Sequence, residues 1–380
     1  MRLIVAGGGT GGHLFPGLAV AEELVSRNPD NRVLFVGTER GIEARAVPAA
    51  GFQLELISAA GIRGKGALAK LKGAGMMLNG YLQSHKLLSG FRPDAVLGVG
   101  GYASLPMLLA AWSKKVPCFI HEQNAVPGMT NKLLARVVDR IFITVEESAR
   151  FFPGHKTLLT GNPLRRQILE MLGIGERETG NREQGTVSRD SFADSQSPIP
   201  NPCFHLLVFG GSQGAHAINL AMVAALPYLK GSQFTFGITH QTGEKDCIEV
   251  AAAYDAAGQQ ARVKPFISDM ATEYARADLI VCRAGATTIA EVTAMGKACL
   301  FIPFPHAVDD HQRKNAEALL NRSACFMTLE RDLTGERLAE MIIGLAGDGE
   351  LVRRTGELAF GMARLDAATI IVDEIRKITT

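Results

Sequence analysis

A chain of 380 residues is long for one hydrophobic core and comfortable for two. With 47% hydrophobic residues, 21% charged residues and a formal net charge of +2, it has the composition of an α/β enzyme. So small a net charge excludes a global nucleic-acid footprint and leaves any attraction to a membrane surface to a local patch.

The six cysteines are scattered, with no Cys-x-x-Cys pair to suggest zinc or a redox site, and read as buried free thiols of a reducing cytosol. From the N-terminus, residues 3–6 form a strand-like apolar run that enters a glycine-rich turn, 7–12, and a helical pattern from about 15 to 26. There is no signal-peptide h-region, so export is not expected. Further strand-like runs fall at 33–37, 54–58, 95–99, 116–121 and 140–145, separated by helical stretches, with a shorter element at 157–163. Alternation of this kind predicts a parallel sheet wound by helices. The uncharged stretch 95–113 approaches membrane-spanning length, but Pro106 and the glycines 98, 100 and 101 divide it into strand, turn and helix.

Residues 173–202 are rich in Arg, Glu, Ser, Asn and Gly and poor in large apolar side chains, which predicts a mobile linker or surface insertion. Residues 206–216 then restart the pattern of 3–13. Leu206 answers Leu3, Val208 answers Val5, Gly210 and Gly211 answer Gly7 and Gly8, Gly214 answers Gly11, and His216 answers His13. Strand-like runs follow at 234–239, 262–267, 279–282, 298–303 and 324–329, then helices to the end, the last over about 367–378. The economical reading is two Rossmann-like, doubly wound α/β domains facing one cleft.

Within the second half, residues 278–291 read as a buried strand, a turn at Arg283-Ala284-Gly285 and a helix carrying Glu291 in its early turns. A helix N-terminus after a parallel strand offers main-chain N–H groups and a positive dipole end to phosphate. Glu291 there either accepts from a ribose diol or only favours the dipole. The turn 7–12 is not a clean G-x-G-x-x-G, and Glu39 follows Gly37 too closely to make a dinucleotide site convincing. Two matching loops suit a donor in one domain and an acceptor in the other.

Eight stretches in order make the pattern specific: GGGTGGHLFPGLAVA at 7–21, GVGGYASLP at 98–106, HEQNAVPGMTNK at 121–132, TGNPLR at 160–165, FGGSQGAHAIN at 209–219, PFISDM at 265–270, CRAGATTIAE at 282–291 and PFPHAVDDHQRKNA at 303–316. Together they closely resemble the MurG family of bacterial GT-B glycosyltransferases. The resemblance implies inverting transfer of N-acetylglucosamine from UDP-GlcNAc to lipid I, the undecaprenyl-linked muramoyl-pentapeptide, forming lipid II for peptidoglycan. It implies an acceptor and membrane-facing domain over 1–163, with the last helix, about 362–380, packing back on it. The donor domain would span 164–361, including the polar insertion at about 173–203. A UDP-GlcNAc 2-epimerase of the same fold and a non-catalytic sugar-nucleotide binder are the rival readings.

Carried over by motif, Arg165 and Ser212 are expected at the diphosphate and nucleotide, and the main chain of Ile267 at uracil. Ala286, Thr287, Thr288, Ile289, Ala290 and Glu291 are expected at phosphate and ribose, and Gln312 at the sugar hydroxyls. Thr10, Gly11, Gly12 and Asn124 are expected to touch the donor from the other domain. His13 is either the general base for the acceptor hydroxyl or an organiser of its loop. Glu122 either assists, replaces His13 as base, or lines the cleft.

No Asp-x-Asp occurs, and neither a metal nor another cofactor is expected; helix N-termini and Arg165 would meet the charge of the leaving UDP. Arg63, Lys65, Lys70 and Lys72 precede Met76, Met77, Leu78, Tyr81, Leu82, Leu87 and Leu88, and Trp112 lies beside Lys114 and Lys115. Spacing alone favours an ordinary core helix with solvated lysines; the resemblance reverses this and implies a patch on the anionic cytoplasmic face of the inner membrane, next to cell-wall synthesis partners. Cys282 and His311 stand where many members of the family carry Ser and Gln.

Overall fold

The computed structural model describes residues 1–39, 41–59, 67–174, 203–211, 213–307 and 310–379, with 67–72 and 74 described by backbone alone. Most of the expected polar insertion, Ser212, and the side chains of Arg63, Lys65, Lys70 and Lys72 therefore lie outside the described residues. The chain divides into two compact units, Met1–Arg165 with Arg364–Thr380, and Arg166–Ala363.

The first unit is built on seven strands: β1 Arg2–Ala6, β2 Arg32–Gly37, β3 Gln53–Leu56, β4 Ala95–Gly98, β5 Cys118–Glu122, β6 Arg140–Ile143 and β7 Thr157–Leu159. They pair in the order β3-β2-β1-β4-β5-β6-β7, every pair parallel. Side chains alternate across the sheet, as the two-residue strand period requires. Ile4 and Ala6 enter one buried cluster with Val96, Ile120 and Met107, while Leu3 and Val5 enter another with Leu14, Leu97 and Phe119. A sheet buried on both faces explains why these strands read as continuous apolar runs rather than alternating ones.

The last helix, Ala367–Thr379, belongs to this unit: Ile371, Val372 and Ile375 are buried in the cluster that holds Leu14 and Leu18. Arg27 fixes it by an ion pair to Asp373 and a 3.0 Å hydrogen bond to the Thr369 carbonyl.

The second unit carries β8 Phe204–Phe209, β9 Phe236–Gln241, β10 Ala261–Lys264, β11 Leu279–Cys282, β12 Ala298–Phe301 and β13 Phe326–Met327. Their order is β10-β9-β8-β11-β12-β13, again parallel throughout. Leu206, Val208, Val281 and Leu300 pack one face against helices His216–Lys230 and Gly335–Ala346. In both sheets the strand order reverses beside the first strand, between β1 and β4 and between β8 and β11. Open α/β sheets bind ligands at such switch points, outside the carboxyl ends of the strands.

Candidate active site

In the first unit the switch point is formed by the turn after β1 and the turn after β4. The helix after β1 begins at Gly11, four residues earlier than its apolar pattern predicts. The main chain of His13 and Leu14 already bonds back to the Thr10 carbonyl, at 3.2 and 3.1 Å, so His13 sits in the first helical turn. Its Nδ1 lies 3.5 Å from Thr10 Oγ1, and its ring rests on Gly100, where an added Cβ would come within 2.9 Å of the imidazole. Gly100 has φ +94°, so both its conformation and its missing side chain serve that contact. Thr10 and Gly12 are exposed, Gly11 is buried and His13 is half-buried.

A carboxylate not expected from the sequence fixes the loop. Glu43, 1% exposed, accepts from the Gly9 N–H at 2.7 Å and from the Thr38 N–H and hydroxyl at 3.0 and 3.3 Å. Gly8 leaves room for it: a Cβ there would lie 2.5 Å from the carboxylate.

Beyond β4, the end of β5 supplies a buried polar floor. His121 Nε2 donates to the Gly161 carbonyl at 3.1 Å, and its Nδ1 accepts from Gln123 Nε2 at 3.2 Å, so the ring is neutral with its proton on Nε2. Burial pushes its pKa down to about 4, and the charge of nearby His13 acts in the same sense. Gln123 Nε2 also donates to the Val99 carbonyl at 2.9 Å, tying β4 to β5.

Glu122 is 2% exposed, and both carboxylate oxygens are occupied. Oε1 accepts from the Asn124 N–H and Nδ2, at 3.0 and 3.3 Å, and Oε2 accepts from the Gly128 N–H at 3.2 Å and Asn131 Nδ2 at 2.8 Å. Burial raises its pKa, against the lowering effect of those donors. The Glu122 carboxylate thus sets the course of the 122–131 loop and the orientation of Asn124. Arg165, half-buried, lays its guanidinium over the Phe15 ring at 4.8 Å, beside the helix that begins at Gly11.

In the second unit the sequence repeat does not reproduce the helix start. The helix after β8 begins at His216, with Ala215 as its cap, two residues later than the alignment with Gly11 implies. Gly214 continues the loop in a left-handed conformation, φ +76°. His216 Nδ1 pairs with Asp246 Oδ2 at 2.9 Å, and that hydrogen bond holds the Asp246 carboxyl below its usual range. The two histidines of the repeat therefore have different partners.

Ile267 is buried, and its N–H donates to Gln241 Oε1 at 2.7 Å. The helix Ala286–Ala294 follows β11 as the sequence pattern predicts, capped by Gly285 in an extended conformation. Ala286 and Thr287 are buried at its first turn, while Thr288, Ile289 and Ala290 are half-buried. Glu291, 2% exposed, accepts from the Tyr274 hydroxyl at 3.0 Å. Tyr274 lies on the helix Met270–Arg276 that follows Ile267, so this bond joins the elements that carry Ile267 and Glu291. Gln312, in the first turn of His311–Leu320, accepts from the Phe304 N–H at 3.0 Å through Oε1.

Arg283 was legible only as part of a motif. Its guanidinium donates to the carbonyls of Ile302 and Pro303 at 3.0 and 3.2 Å, pairs with Glu330 and covers the Phe304 ring at 5.3 Å. It locks the turn after β12, which leads to Gln312, to the turn after β11. Among the described residues no cluster of three or more His, Cys, Asp or Glu with metal-binding geometry occurs.

Known proteins match along the whole chain. Residues 3–143 match the glycosyltransferase family 28 N-terminal domain and residues 205–354 the glycosyltransferase family 28 C-terminal domain. The UDP-N-acetylglucosamine–N-acetylmuramyl-(pentapeptide) pyrophosphoryl-undecaprenol N-acetylglucosamine transferase of Pelobacter propionicus is 74% identical over 375 residues, 99% of each chain. The transferase of the same name from Geobacter sulfurreducens is 58% identical over 99% of this chain and 98% of its own. The crystal structure of MurG from Acinetobacter baumannii superposes with a TM-score of 0.73 at 32% identity, covering 99% of both chains. A UDP-GlcNAc 2-epimerase from Neisseria meningitidis, solved with UDP-GlcNAc, gives 0.66 at 15% identity over 99% of this chain and 100% of its own, a likeness of fold alone. Two family-28 halves, two parallel sheets with matching switch points and full-length identity to named transferases leave one assignment: the chain belongs to the MurG family of GT-B N-acetylglucosaminyltransferases.

Proposed function

We propose that this chain moves N-acetylglucosamine from UDP-GlcNAc to the muramoyl sugar of lipid I, with inversion at the anomeric carbon, forming lipid II. The observation that carries the reading is the 74% identity, end to end, with a transferase named for that donor and that undecaprenol-linked acceptor. The likeness to epimerases is one of fold and gives no reason to prefer conversion of the donor alone.

The site residues take roles consistent with their surroundings. His13 is the general base: it sits at the mouth of the switch point on a helix start, in a loop held by Glu43. It removes the proton of the acceptor hydroxyl as that oxygen attacks the anomeric carbon in line with departure of UDP. Glu122, with both oxygens already occupied, positions Asn124 rather than replacing His13.

In the second unit the helix N-terminus at Ala286–Thr288 meets the diphosphate, Glu291 the ribose and Gln312 the sugar, while the main chain of Ile267 meets the uracil through its carbonyl, its N–H being held by Gln241. Ser212 and Arg165 complete the anion contacts in this reading. Turnover is then expected to persist in EDTA, because in this reading main-chain N–H groups and a guanidinium, rather than a metal, balance the charge of the leaving group. The first unit is assigned the acceptor and the second the donor.

Membrane contact is assigned to one surface of the first unit. Leu78 and Leu82 are 63% and 59% exposed on the helix Ala67–Phe91, and Trp112 is 55% exposed on Ser104–Ser113, whereas Leu88, expected in the same patch, is buried in the core with Leu87 packed against it. Tyr81 and His85 bond Ser113 Oγ at 3.1 and 2.9 Å, which holds the two helices together. Lys86, Lys114 and Lys115 are exposed beside them. Apolar side chains flanked by lysines suit the anionic inner leaflet, where the enzyme would sit peripherally; no helix among the described residues is long and apolar enough to cross a membrane.

The decisive experiment supplies radiolabelled UDP-GlcNAc with a short-chain lipid I analogue. Label in the lipid product supports transfer; epimerised donor without acceptor turnover would overturn it.

A further inference from the structure

We infer that Gln241 is the positioning residue of the donor site: one buried amide that sets the glycine loop after β8 and the Ile267 loop after β10 in fixed relation. The inference rests on the donor reading above. Gln241 closes β9, paired with Phe209 of β8 on one side and Lys264 of β10 on the other. Its side chain is 3% exposed, and both ends of the amide are used. Oε1 accepts from the Ile267 N–H at 2.7 Å, and Nε2 donates to the Gly211 carbonyl at 2.8 Å. Both partners are main-chain groups. One lies directly before Ser212 in the glycine loop, and the other belongs to the residue assigned to the uracil.

The end of the glycine loop at Gly214 packs closely on the turn after β9. At Gly214 an added Cβ would lie 1.8 Å from the Thr242 carbonyl oxygen, so the glycine loop is seated against the residue that follows Gln241. The Thr242 N–H bonds the Lys264 carbonyl at 3.0 Å and the Gly243 N–H bonds the Pro265 carbonyl at 3.2 Å, which extends β9 alongside the approach to Ile267. His240, on the opposite face of β9, bonds Asn219 Oδ1 and the Tyr254 hydroxyl, each at 3.1 Å, and so fixes the helix that the glycine loop enters. Two successive residues of β9 thereby hold the loop and its helix.

The chemistry requires an amide at 241. A carboxylate there would keep an acceptor for Ile267 but turn a second oxygen on the Gly211 carbonyl; a thioether would leave a buried donor and a buried acceptor unpaired. Without the link, each loop can shift independently, and a nucleoside diphosphate that contacts both binds less well. The chemical step and the acceptor site have no such dependence.

The test compares wild type, Gln241→Met and Gln241→Glu by calorimetric titration with UDP and by steady-state kinetics in both substrates, with folded fraction checked by circular dichroism. For Gln241→Met we expect UDP affinity and kcat/KM for UDP-GlcNAc to fall about tenfold or more, chiefly through the donor KM. Acceptor KM should stay within about twofold, since no acceptor contact is removed. Loss of kcat with donor KM unchanged, the pattern of a merely less stable enzyme, would overturn the inference. Should Gln241→Met not fold, Gln241→Glu carries the same expectation at smaller size, and unaltered UDP affinity in it is equally fatal. A wild-type chain that binds no UDP overturns the donor reading itself, and this inference with it.

Discussion

Glu43 receives the main-chain N–H of Gly9 at 2.7 Å, and its carboxylate occupies the space that side chains at Gly8, Gly37 and Gly41 would fill. An added Cβ would lie 2.5 Å from it at Gly8, 3.0 Å at Gly37, where the Glu43 Cγ is nearer still at 2.5 Å, and 1.8 Å at Gly41. The loop that carries Thr10 to His13 is therefore moulded on a buried acidic side chain. Glu43→Gln should lower stability by about 1–3 kcal/mol, because the amide turns an N–H toward donors that the carboxylate accepted. It should also lower turnover more than UDP binding, since the disturbed loop belongs to the first unit. Denaturant unfolding and UDP titration check this; a variant as stable and as active as wild type would remove Glu43 from that role.

Most of the fold was legible because both sheets are buried on two faces, so their strands stand out as apolar runs; Leu279–Cys282 coincides with its expected strand. The glycine loops were legible as a repeat, but the point at which each helix starts was not. Helical periodicity begins where apolar side chains do, whereas the first turn at Gly11 is set by main-chain bonds to Thr10 that leave no apolar signature. Glu43, Gln123 and Gln241 escaped the sequence reading for a related reason. Each acts on main-chain groups of loops distant in sequence, and a single polar residue carries no spacing that declares such partners.

His13 and Glu122 make opposite predictions under substitution. His13→Ala should reduce kcat about 10²- to 10⁴-fold, the usual weight of a general base, while UDP affinity stays within about twofold. Glu122→Gln should cost kcat about tenfold or less and lower stability, as one of its oxygens, which accept four hydrogen bonds in all, becomes an N–H. The discriminating measurement is the pH dependence of kcat/KM. If Glu122 is the base, the limb assigned to its deprotonation disappears in Glu122→Gln and survives in a weakly active His13 variant.

Acid should weaken the second unit more steeply than the first. His121 and His240 are each pushed down to about 4 from 6.5, so between those values the unfolded chain binds protons that the folded one refuses. Their contribution is fully present above about pH 6.5 and is lost as pH falls toward 4, up to about 3 kcal/mol for each. In the second unit Asp246 and Asp269, both held below their usual range by hydrogen bonds, act in the same sense, though their exposure keeps the effect small. In the first unit Glu122 acts in the opposite sense: its raised pKa makes folding less favourable as pH rises. Amide hydrogen exchange from pH 7 to 4, corrected for intrinsic rates, should show protection in 204–363 falling faster than in 1–165. Equal slopes would contradict this balance of titrating groups.

The apolar surface of the first unit yields a prediction that separates membrane contact from chemistry. Leu78, Leu82 and Trp112 are more than half exposed, on two helices joined through Ser113. An ordinary soluble surface gains little from three such side chains, but an interface gains roughly 25 cal/mol for each Å² of apolar area it covers. The neighbouring Lys86, Lys114 and Lys115 add about 1 kcal/mol each at an anionic leaflet. Replacing Leu78, Leu82 and Trp112 by Ser should abolish flotation with phosphatidylglycerol vesicles, and high salt should weaken flotation of the wild type. Transfer to a water-soluble short-chain acceptor should remain within about threefold of wild type, because none of the three is assigned a part in the chemistry and each is more than half exposed. Flotation that survives the triple substitution would move the membrane face elsewhere on the molecule, whereas loss of activity on the soluble acceptor would mean that these helices shape the acceptor site as well.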